Sequence, residues 1–257
     1  MKSIKYLMVA LTLTMSVFLS SCLDGSSDNT VSTASILRYS YTRVYFDASG
    51  FSYSPVNSTH FPPGSVGDMY YVQYQYDSSL VKSTTKGISI TLLSSPICID
   101  GPVNNTEVAS TNAFYGIQYL ASGYKPALFD KNTLIVPILY WYYPAETTDD
   151  LKKEVAKHTF KLYYVADEIK PGDTVLNLYI THQIKETGTE SMKRTKYTLT
   201  YQSYNLYSAL AAFKEVNNGA TPKTLVIHGK INTSSDSLDG ATEDKIEVSE
   251  LSSSTDK

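Results

Sequence analysis

Cysteine, tryptophan and excess positive charge are all scarce in this chain. Its 257 residues include two cysteines and one tryptophan, and 22 lysines and arginines stand against 25 aspartates and glutamates. Two cysteines cannot build a disulfide framework or a pair of C-x-x-C metal-binding motifs. A mildly acidic chain also lacks the positive surface with which proteins bind nucleic-acid phosphates. The sequence therefore excludes a disulfide-rich scaffold and predicts no nucleic-acid partner.

Tyrosine, in contrast, is abundant. The chain has 22 tyrosines, and apolar residues make up 42% of it. Aromatic residues fit the pleated, half-buried surface of a strand, and this apolar content is that of an ordinary folded domain. The composition therefore predicts a folded protein that is rich in strands.

The first 22 residues have the pattern of a lipoprotein signal peptide. Lys2 and Lys5 precede an apolar run of 14 residues, 6–19, and two serines stand directly before Cys22. The run is shorter than the ~20 apolar residues that a membrane-spanning helix needs, and small residues before a cysteine are typical of a lipoprotein cleavage site. We expect cleavage after residue 21 and lipidation of Cys22. The leucine after Cys22 favours the outer membrane, with the periplasmic and the surface face both left open.

Beyond Cys22 the composition changes several times. Residues 23–35 are rich in serine, aspartate, asparagine and threonine, which is typical of a linker, and the last 25 or so residues are polar again, with one possible strand at 245–251. Two stretches with strand patterns lie between them. The predicted boundaries are 1–21 for the signal peptide, 22–35 for a lipidated flexible tether, 36–104 for an OB-like β-barrel domain, 105–232 for a β-sandwich domain and 233–257 for a polar tail.

The first of these stretches has short alternating segments and no helical period. Polar and apolar residues alternate from Leu37 to Phe46, and the segment Met69–Asp77 follows a cluster of prolines and glycines that marks a turn. An alternation of period two is typical of strands. Residues 36–104 are enough for a small closed barrel of about five strands, so we predict an OB-like barrel.

The second stretch repeats the strand pattern at larger scale. Six segments are strand candidates, namely 114–120, 133–143, 159–165, 174–180, 197–204 and 223–231. Two other segments, Thr148–Lys157 and Leu206–Val216, have apolar residues at helical spacing and are predicted as short helices. This number of strands predicts an antiparallel β-sandwich, and the chain as a whole is predicted to be all-β.

Several of these segments together resemble a known family. Val66-Gly67-Asp68-Met69-Tyr70-Tyr71-Val72 leads into a barrel strand, Leu176-Asn177-Leu178-Tyr179-Ile180-Thr181-His182 lies in a later strand, and both follow a lipobox and a polar tether. In this order they are similar to the NigD-like lipoproteins of Bacteroidota. The resemblance spans about residues 30–205 and implies an OB-like domain, a β-sandwich domain and a function related to bacteriocin immunity. The chain departs from the family's His-Asn pair at His182-Gln183.

Motifs for catalysis and metal binding are not found. The chain has no G-x-S-x-G, no H-E-x-x-H and no S-x-x-K, S-D-N and K-T-G set in that order. Its four histidines stand far apart, and none has a second ligand at metal spacing. Cys98 lies in the apolar run Ile97-Cys98-Ile99 and is predicted to be a small buried residue. We therefore predict no enzymatic activity, no cofactor and no metal site.

The aromatic run Tyr140-Trp141-Tyr142-Tyr143 and His182 are the candidate binding residues. Neighbouring side chains of a strand point to opposite faces, so Tyr140 and Tyr142 face one side and Trp141 and Tyr143 the other. Amphipathic rings on an exposed face bind sugars or proteins, whereas rings on a covered face pack in the core. The sequence leaves both arrangements open.

Two short sequons are candidate O-glycosylation sites. Asp173-Thr174-Val175 and Asp236-Ser237-Leu238 have the acidic, hydroxyl and apolar residues of the sequon used in Bacteroidota. Thr174 and Ser237 are the acceptor residues. Ser237 is the better candidate because it lies in the predicted polar tail.

A non-catalytic binding module in the cell envelope is the leading functional prediction. A lipid anchor would hold an OB-like recognition surface where envelope proteins or toxins are met, so the expected partner is one of these. The alternative is a surface glycan-binding lipoprotein that uses exposed aromatic residues. A hydrolase is the third hypothesis, and it requires His182 to meet an acid or a serine in a cleft.

Overall fold

The computed structural model describes residues 29–40, 43–57, 67–118, 124–186 and 193–249. The chain is mostly β and divides into two compact units, one ending at Asp100 and the next beginning at Gly101. The signal peptide and the first half of the predicted tether, which includes Cys22, lie outside the described residues. Within the described ranges, the helices are all too short or too polar to cross a membrane.

The first unit is a closed five-stranded barrel with one added strand. Strands pair in the order β1-β2-β3-β5-β4, and β1 pairs with β4 to close the barrel. The pair β3–β5 is parallel, while the other neighbouring pairs are antiparallel. The predicted OB-like barrel is therefore confirmed. The strands are β1 (Thr30–Tyr39), β2 (Tyr45–Phe46), β3 (Ser52–Pro55), β4 (Met69–Asp77), β5 (Gly87–Leu92) and the added β6 (Ile97–Cys98).

Tyrosines fill much of the barrel interior. Alternate residues of β4 point inward, so Tyr70, Val72 and Tyr74 are all buried. They pack with Leu37, Tyr45, Ile90 and Leu92 in one hydrophobic cluster. Rings of Tyr45 and Tyr70 meet edge to face with their centroids 6.1 Å apart, a favourable geometry for aromatic pairs.

The first strand begins inside the segment that the sequence predicts as a tether. β1 starts at Thr30, and its residues pair with β4 from Thr30↔Asp77 through to Arg38↔Met69. The polar composition of residues 30–35 reflects side chains that are largely exposed. Backbone hydrogen bonds to β4 make this segment a strand, and a composition rule cannot detect them.

The second unit is a β-sandwich with two helices. One sheet has the order β7-β13-β10-β9 and the other has the order β15-β14-β12-β11-β8. Antiparallel pairs predominate, as predicted, and two pairs, β8–β11 and β12–β14, are parallel. The elements are β7 (Asp100–Gly101), β8 (Val103–Asn104), β9 (Ala127–Asp130), β10 (Thr133–Tyr142), α1 (Thr148–Lys157), β11 (His158–Tyr163), β12 (Val175–Ile184), β13 (Lys196–Asn205), α2 (Tyr207–Val216), β14 (Thr224–Ile231) and β15 (Thr242–Val248).

Both helices form where the sequence predicts them. The hydroxyl of Thr147 accepts a hydrogen bond from the backbone N–H of Asp150 and so caps the first turn of α1. Two aspartates in that turn and Lys157 in the last turn suit the helix dipole. Ala209, Leu210 and Phe213 of α2 are buried in the sandwich core.

The core lies between the two sheets. Alternate residues of β10, from Leu134 to Tyr142, face alternate residues of β12 and β14. Phe114 and Ile117 join this cluster from the segment that precedes β9. Every other side chain of β10, β12 and β14 is therefore buried in this core. The side chains between them point to the outer faces of the two sheets.

The predicted polar tail contains an ordered edge strand. β15, Thr242–Val248, pairs antiparallel with β14 and buries Ile246 and Val248. Its other positions are mostly charged, which protects an edge strand from pairing with further chains. These charges give the segment the composition of a tail, so the sequence places the end of the domain too early.

Candidate functional site

The aromatic run is mostly covered, contrary to the arrangement that glycan binding requires. Tyr140 and Tyr142 face the sandwich core, and Trp141 lies on the opposite face as the alternation predicts. That face is covered too, since Trp141 is only 8% exposed and its rings meet those of Tyr115 and Tyr197. The indole N–H donates to the carbonyl of Asn232, 2.9 Å away. Of the four residues, Tyr143 alone is exposed, at 37%.

His182 lies in the core beside a second histidine. Its side chain is fully buried, and its Nε2 is 2.9 Å from Nδ1 of His158. The two imidazoles are stacked, with centroids 5.1 Å apart. On its other side, Nδ1 of His182 is 3.3 Å from the carbonyl oxygen of Ala113. The structure thus brings His182 and Tyr140 together, with ring centroids 6.1 Å apart, but neither reaches the surface.

A buried ion-pair network continues from His158. Its Nε2 is 3.3 Å from the Glu154 carboxylate, which also accepts a 2.7 Å hydrogen bond from Nε of Arg194. Arg194 in turn contacts Glu186 at 2.7 Å and Asp236 at 3.4 Å. The network therefore joins α1, β11, β12 and the segments that precede β13 and β15.

Electrostatics fix the charge states in this network. Burial alone would raise the pKa of Glu154, but hydrogen bonds from His158, Arg194 and the Tyr143 backbone outweigh it and hold that pKa far below its usual range. Burial lowers the pKa of His158, and it lowers the pKa of His182 to about 3. Both histidines are therefore uncharged at neutral pH, and the His182 side chain is completely buried. The network ties together several elements of the sandwich, and its histidine pair lies in the core.

A cavity of about 340 Å³ opens on the outer face of the five-stranded sheet. Tyr163, Tyr179 and His228 stand side by side on β11, β12 and β14, with ring centroids 4.9 and 4.7 Å apart. The strand-to-strand register places these three residues directly opposite one another. The remaining lining comes from Glu107, Val108, Ala109, Ser110, Ile180, Thr181, Gly229, Lys230 and Glu243.

Hydrogen bonds to neighbouring side chains hold the polar groups of the cavity in place. His228 contacts Glu243 through Nδ1 at 2.7 Å and Asn177 through Nε2 at 2.9 Å, so both ring nitrogens are occupied. The hydroxyl of Tyr179 donates to Glu168 at 3.0 Å, and burial raises the pKa of Tyr179 to about 12. The cavity therefore offers hydrogen-bonding groups, aromatic edges and charges of both signs, on rigid strands. This composition is suited to binding.

Comparison with solved structures shows that other chains have a similar fold. A crystal structure of a protein from Bacteroides fragilis, described as a "putative lipoprotein", superposes with a TM-score of 0.76 at 26% sequence identity. The match covers 85% of this chain and 98% of that chain. An uncharacterized protein from Parabacteroides merdae matches at 15% identity with a TM-score of 0.49, over 85% of this chain and 97% of its own. A protein of unknown function from Bacteroides vulgatus matches at 11% identity with a TM-score of 0.48, over 87% of this chain and 93% of its own.

Comparisons of sequence give no match. None of the family models that were compared matches this chain. None of the curated proteins that were compared matches it either.

Cys98 is exposed, contrary to the buried position that its apolar neighbours predict. Ile97 is 59% exposed while Ile99 is buried, because β6 is a short strand added at the edge of the barrel sheet. The Cys98 thiol lies close to the carboxylates of Asp68 and Asp100, and the three ligand atoms are all within 4.8 Å of one another. These are the side chains through which the barrel could hold a metal ion.

The candidate modification sites fall in different parts of the chain. Cys22, the predicted lipidation site, lies outside the described residues. Thr174 and Ser237 are both exposed, as an O-glycosylated residue must be. Ser237 belongs to an ordered turn, since its carbonyl accepts from the side chain of Asn232 and its hydroxyl accepts from the backbone of Asp239.

Sequence reasoning missed the partners of His182 and the cavity. The pair Glu154 and His158 has a weak signal, because residues four apart at the end of a helix face the same side. Arg194 has none, since it lies 40 positions from Glu154 and meets it only in the folded chain. The cavity depends on the alignment of three strands and on the segment Glu107–Ser110, which no local pattern reveals.

Proposed function

We propose that this chain is a lipid-anchored protein of the cell envelope that serves as a non-catalytic binding module for a protein partner. The anchor is Cys22, and the binding site is the cavity on the outer face of the sandwich. The observation that carries the proposal is the hydrogen bonding of the His228 ring. It is the histidine that lines this cavity, and both of its ring nitrogens are bonded to side chains of the chain itself.

Two features support a lipoprotein. The sequence before Cys22 has the basic start, short apolar run and small residues of a lipoprotein signal. The B. fragilis protein with a similar fold is itself described as a putative lipoprotein. The motif resemblance to NigD-like lipoproteins extends this proposal to an outer-membrane location and to a role like that of a bacteriocin-immunity protein.

Binding rather than catalysis is supported by the groups in the cavity. A general base needs a nitrogen or oxygen that is free to take a proton from a substrate, and neither nitrogen of His228 is free in this way. The lining instead presents Lys230 and Glu107, which are exposed, next to half-buried tyrosines. Aromatic residues are enriched at protein–protein interfaces, and polar groups form the rim around them. Glycan binding through the aromatic run lacks this support, since three of its four rings are covered.

Site-specific photo-cross-linking in intact cells tests the binding site. We expect benzoylphenylalanine at Ala109, an exposed residue of the lining, to capture a defined protein, and the same probe at exposed Lys131 outside the lining to capture none. Lys230→Glu reverses a charge of the cavity and should abolish capture. Lys223→Glu makes the same change at the other end of β14, outside the lining, and should leave capture intact.

Three results would contradict the protein-binding proposal. They are equal capture from both probe positions, capture that survives Lys230→Glu, and capture of polysaccharide without protein. The last result would favour the glycan-binding alternative.

Labelling with a fatty acid tests the anchor separately. Cells that express the chain should incorporate labelled palmitate into it, and Cys22→Ala should lose the label while Cys98→Ala keeps it. Label that persists in Cys22→Ala would refute the assignment of the anchor. Fractionation of the same cells shows which membrane carries the protein.

A further inference from the structure

A second cavity, of about 240 Å³, lies at one end of the barrel interior. The turn between β2 and β3, the end of β4 and the start of β5 form its walls. Its lining combines four aromatic rings with a single charged side chain, that of Asp47. The rings are those of Phe51, Tyr53, Tyr74 and Tyr76, and Ser49, Val81 and Ile88 complete the lining.

Asp47 is held in one orientation by its own turn. Its Oδ1 accepts hydrogen bonds from the backbone N–H and the hydroxyl of Ser49, at 2.8 and 2.6 Å, and from the backbone N–H of Phe51 at 3.1 Å. Gly50, with a φ of 82°, allows the chain to turn back toward the carboxylate. Oδ2 accepts one hydrogen bond, from the hydroxyl of Tyr53 at 3.1 Å. This oxygen has room for another donor, since a carboxylate oxygen can accept two.

The carboxylate is ionised and has no cationic partner in the part of the chain that the structure describes. All four of its hydrogen bonds come from neutral donors. Burial alone would raise the pKa of Asp47, but the bonds from Ser49, Phe51 and Tyr53 outweigh it and lower that pKa. Lysine, arginine and histidine are all absent from the described lining of this cavity. A half-buried negative charge is therefore left without a counter-charge beside an open space.

The aromatic rings add to the attraction for a cation. Phe51, Tyr53, Tyr74 and Tyr76 form a continuous row, with successive ring centroids 5.2, 5.4 and 6.1 Å apart. The faces of such rings carry partial negative charge and attract ammonium and guanidinium groups. The rings also supply the apolar contact that the methylene groups of a lysine or arginine side chain need.

We propose that this cavity, formed by Asp47 and the row of four aromatic rings, is a binding site for an organic cation of side-chain size, such as the side chain of a lysine presented by a ligand. Its volume is below the ~300 Å³ at which sites for drug-sized ligands begin, which suits one side chain. Anionic ligands are disfavoured by Asp47. The proposal concerns the barrel unit alone and stands whether or not the sandwich cavity binds a protein.

Calorimetric titration of the full chain, purified in detergent, tests this site with defined probes. Nα-acetyl-lysine methylamide and tetramethylammonium are the cationic probes, and Nα-acetyl-norleucine methylamide is the neutral probe of matched shape. We expect saturable binding of both cations and at least tenfold weaker binding of the norleucine derivative. Equal binding of the neutral and cationic probes, or no saturable binding of the cations, overturns the proposal.

Two aspartates with the same local bonding provide a matched pair of variants. Oδ1 of Asp77 accepts from the backbone and the hydroxyl of Ser79, at 2.9 and 2.6 Å, just as Asp47 does from Ser49, but Asp77 is outside the cavity lining. Asp47→Asn should weaken cation binding at least tenfold, while Asp77→Asn should leave it unchanged. An equal effect of the two substitutions overturns the assignment.

A third variant covers the case in which Asp47→Asn does not fold. Tyr76→Leu removes a half-buried ring but keeps an apolar side chain at the cavity. It should weaken binding of both cations several-fold and leave the weak binding of the norleucine derivative as it was. Unchanged cation binding in a folded Tyr76→Leu protein counts against the aromatic contribution and overturns the proposed site. Lys230→Glu, which alters the sandwich cavity, should not change cation binding here.

Discussion

Nδ1 of His158 lies 2.9 Å from Nε2 of His182, and each ring has an acceptor on its far side. The far neighbours are the Glu154 carboxylate for His158 and the Ala113 carbonyl for His182, each at 3.3 Å. Each of these three contacts needs one N–H group to be a hydrogen bond, but two neutral imidazoles carry only two N–H groups between them. One added proton would satisfy all three contacts, but burial opposes it and lowers both pKa values. The pair is therefore neutral in the folded protein and leaves one contact without a proton.

This arrangement predicts that the folded protein loses stability as the pH falls below about 6.5. An unfolded histidine takes up a proton near its ordinary pKa of 6.5, while the folded pair does so only at lower pH. Between these values the unfolded chain binds more protons, so the free energy of unfolding falls with falling pH, by up to about 1.4 kcal/mol per pH unit for each histidine. Urea unfolding at pH 7.5, 6.0 and 5.0 measures this slope. His158→Gln should make it shallower, and an unchanged slope in that variant would contradict the account.

Removal of the Glu154 carboxylate should be strongly destabilising. Glu154→Gln removes the one fully buried negative charge beside the Arg194 guanidinium and leaves it with the partly exposed Glu186 and Asp236, and breaking a buried pair costs about 3–5 kcal/mol. Glu146→Gln is the matched control, because Glu146 is exposed near the start of the same helix. Chemical denaturation measures the free energy of unfolding of both variants, and the comparison tests the prediction. Similar small losses in the two would show that the network contributes little.

Tyr204→Phe is expected to stabilise the protein. The Tyr204 ring is fully buried, and among the described residues its hydroxyl has no hydrogen-bond partner. Removing an unsatisfied buried hydroxyl recovers about 1 kcal/mol or more. Tyr179→Phe, which removes the hydroxyl bonded to Glu168, should have no such benefit. Thermal and urea unfolding compare the two, and a loss of stability in Tyr204→Phe would mean that this hydroxyl is satisfied by a group such as a buried water.

Cys98 should be accessible but slow to react near neutral pH. Burial raises the pKa of its thiol, and the nearby Asp100 and Asp68 carboxylates raise it further. Asp68→Asn removes one negative charge and should speed alkylation by iodoacetamide at pH 8 by about two- to fivefold. The experiment uses a Cys22→Ala background, so that Cys98 is the remaining thiol. Asp77→Asn serves as the control, and an equal effect of both substitutions would exclude the direct influence of Asp68.

Local sequence patterns predict the strands and helices of this fold better than they predict which side chains contact one another. The alternation in Met69–Asp77 and the helical spacing of apolar residues in Thr148–Lys157 are visible in the sequence, and both elements form there. The covering of Trp141 is not visible, because Tyr115 and Tyr197 come from segments 26 residues before it and 56 residues after it. A two-residue period shows that neighbouring side chains face opposite ways, but it does not show what lies on each face.

The same limit applies to the candidate sites. Asp47 and Gly50 lie in a short turn, and the aromatic row beside them requires β3 and β4 to enter the same barrel, which no local pattern shows. Cys98 has apolar neighbours on both sides and is nevertheless exposed, since β6 is a two-residue strand at the edge of its sheet. Burial of a short strand depends on its place in the sheet, which its own residues do not encode.

The position of Thr30 sets how far the barrel can stand from a bilayer. Eight residue steps separate Cys22 from Thr30, where β1 begins, and an extended chain covers at most roughly 3.5 Å per step. The proposed lipid on Cys22 would therefore hold the start of the first barrel strand within about 30 Å of the headgroups, a height similar to the thickness of the hydrocarbon core. At this height the start of the barrel would be close to molecules that lie on or protrude from the same membrane. A partner dissolved in the surrounding fluid has to come to the surface to be bound.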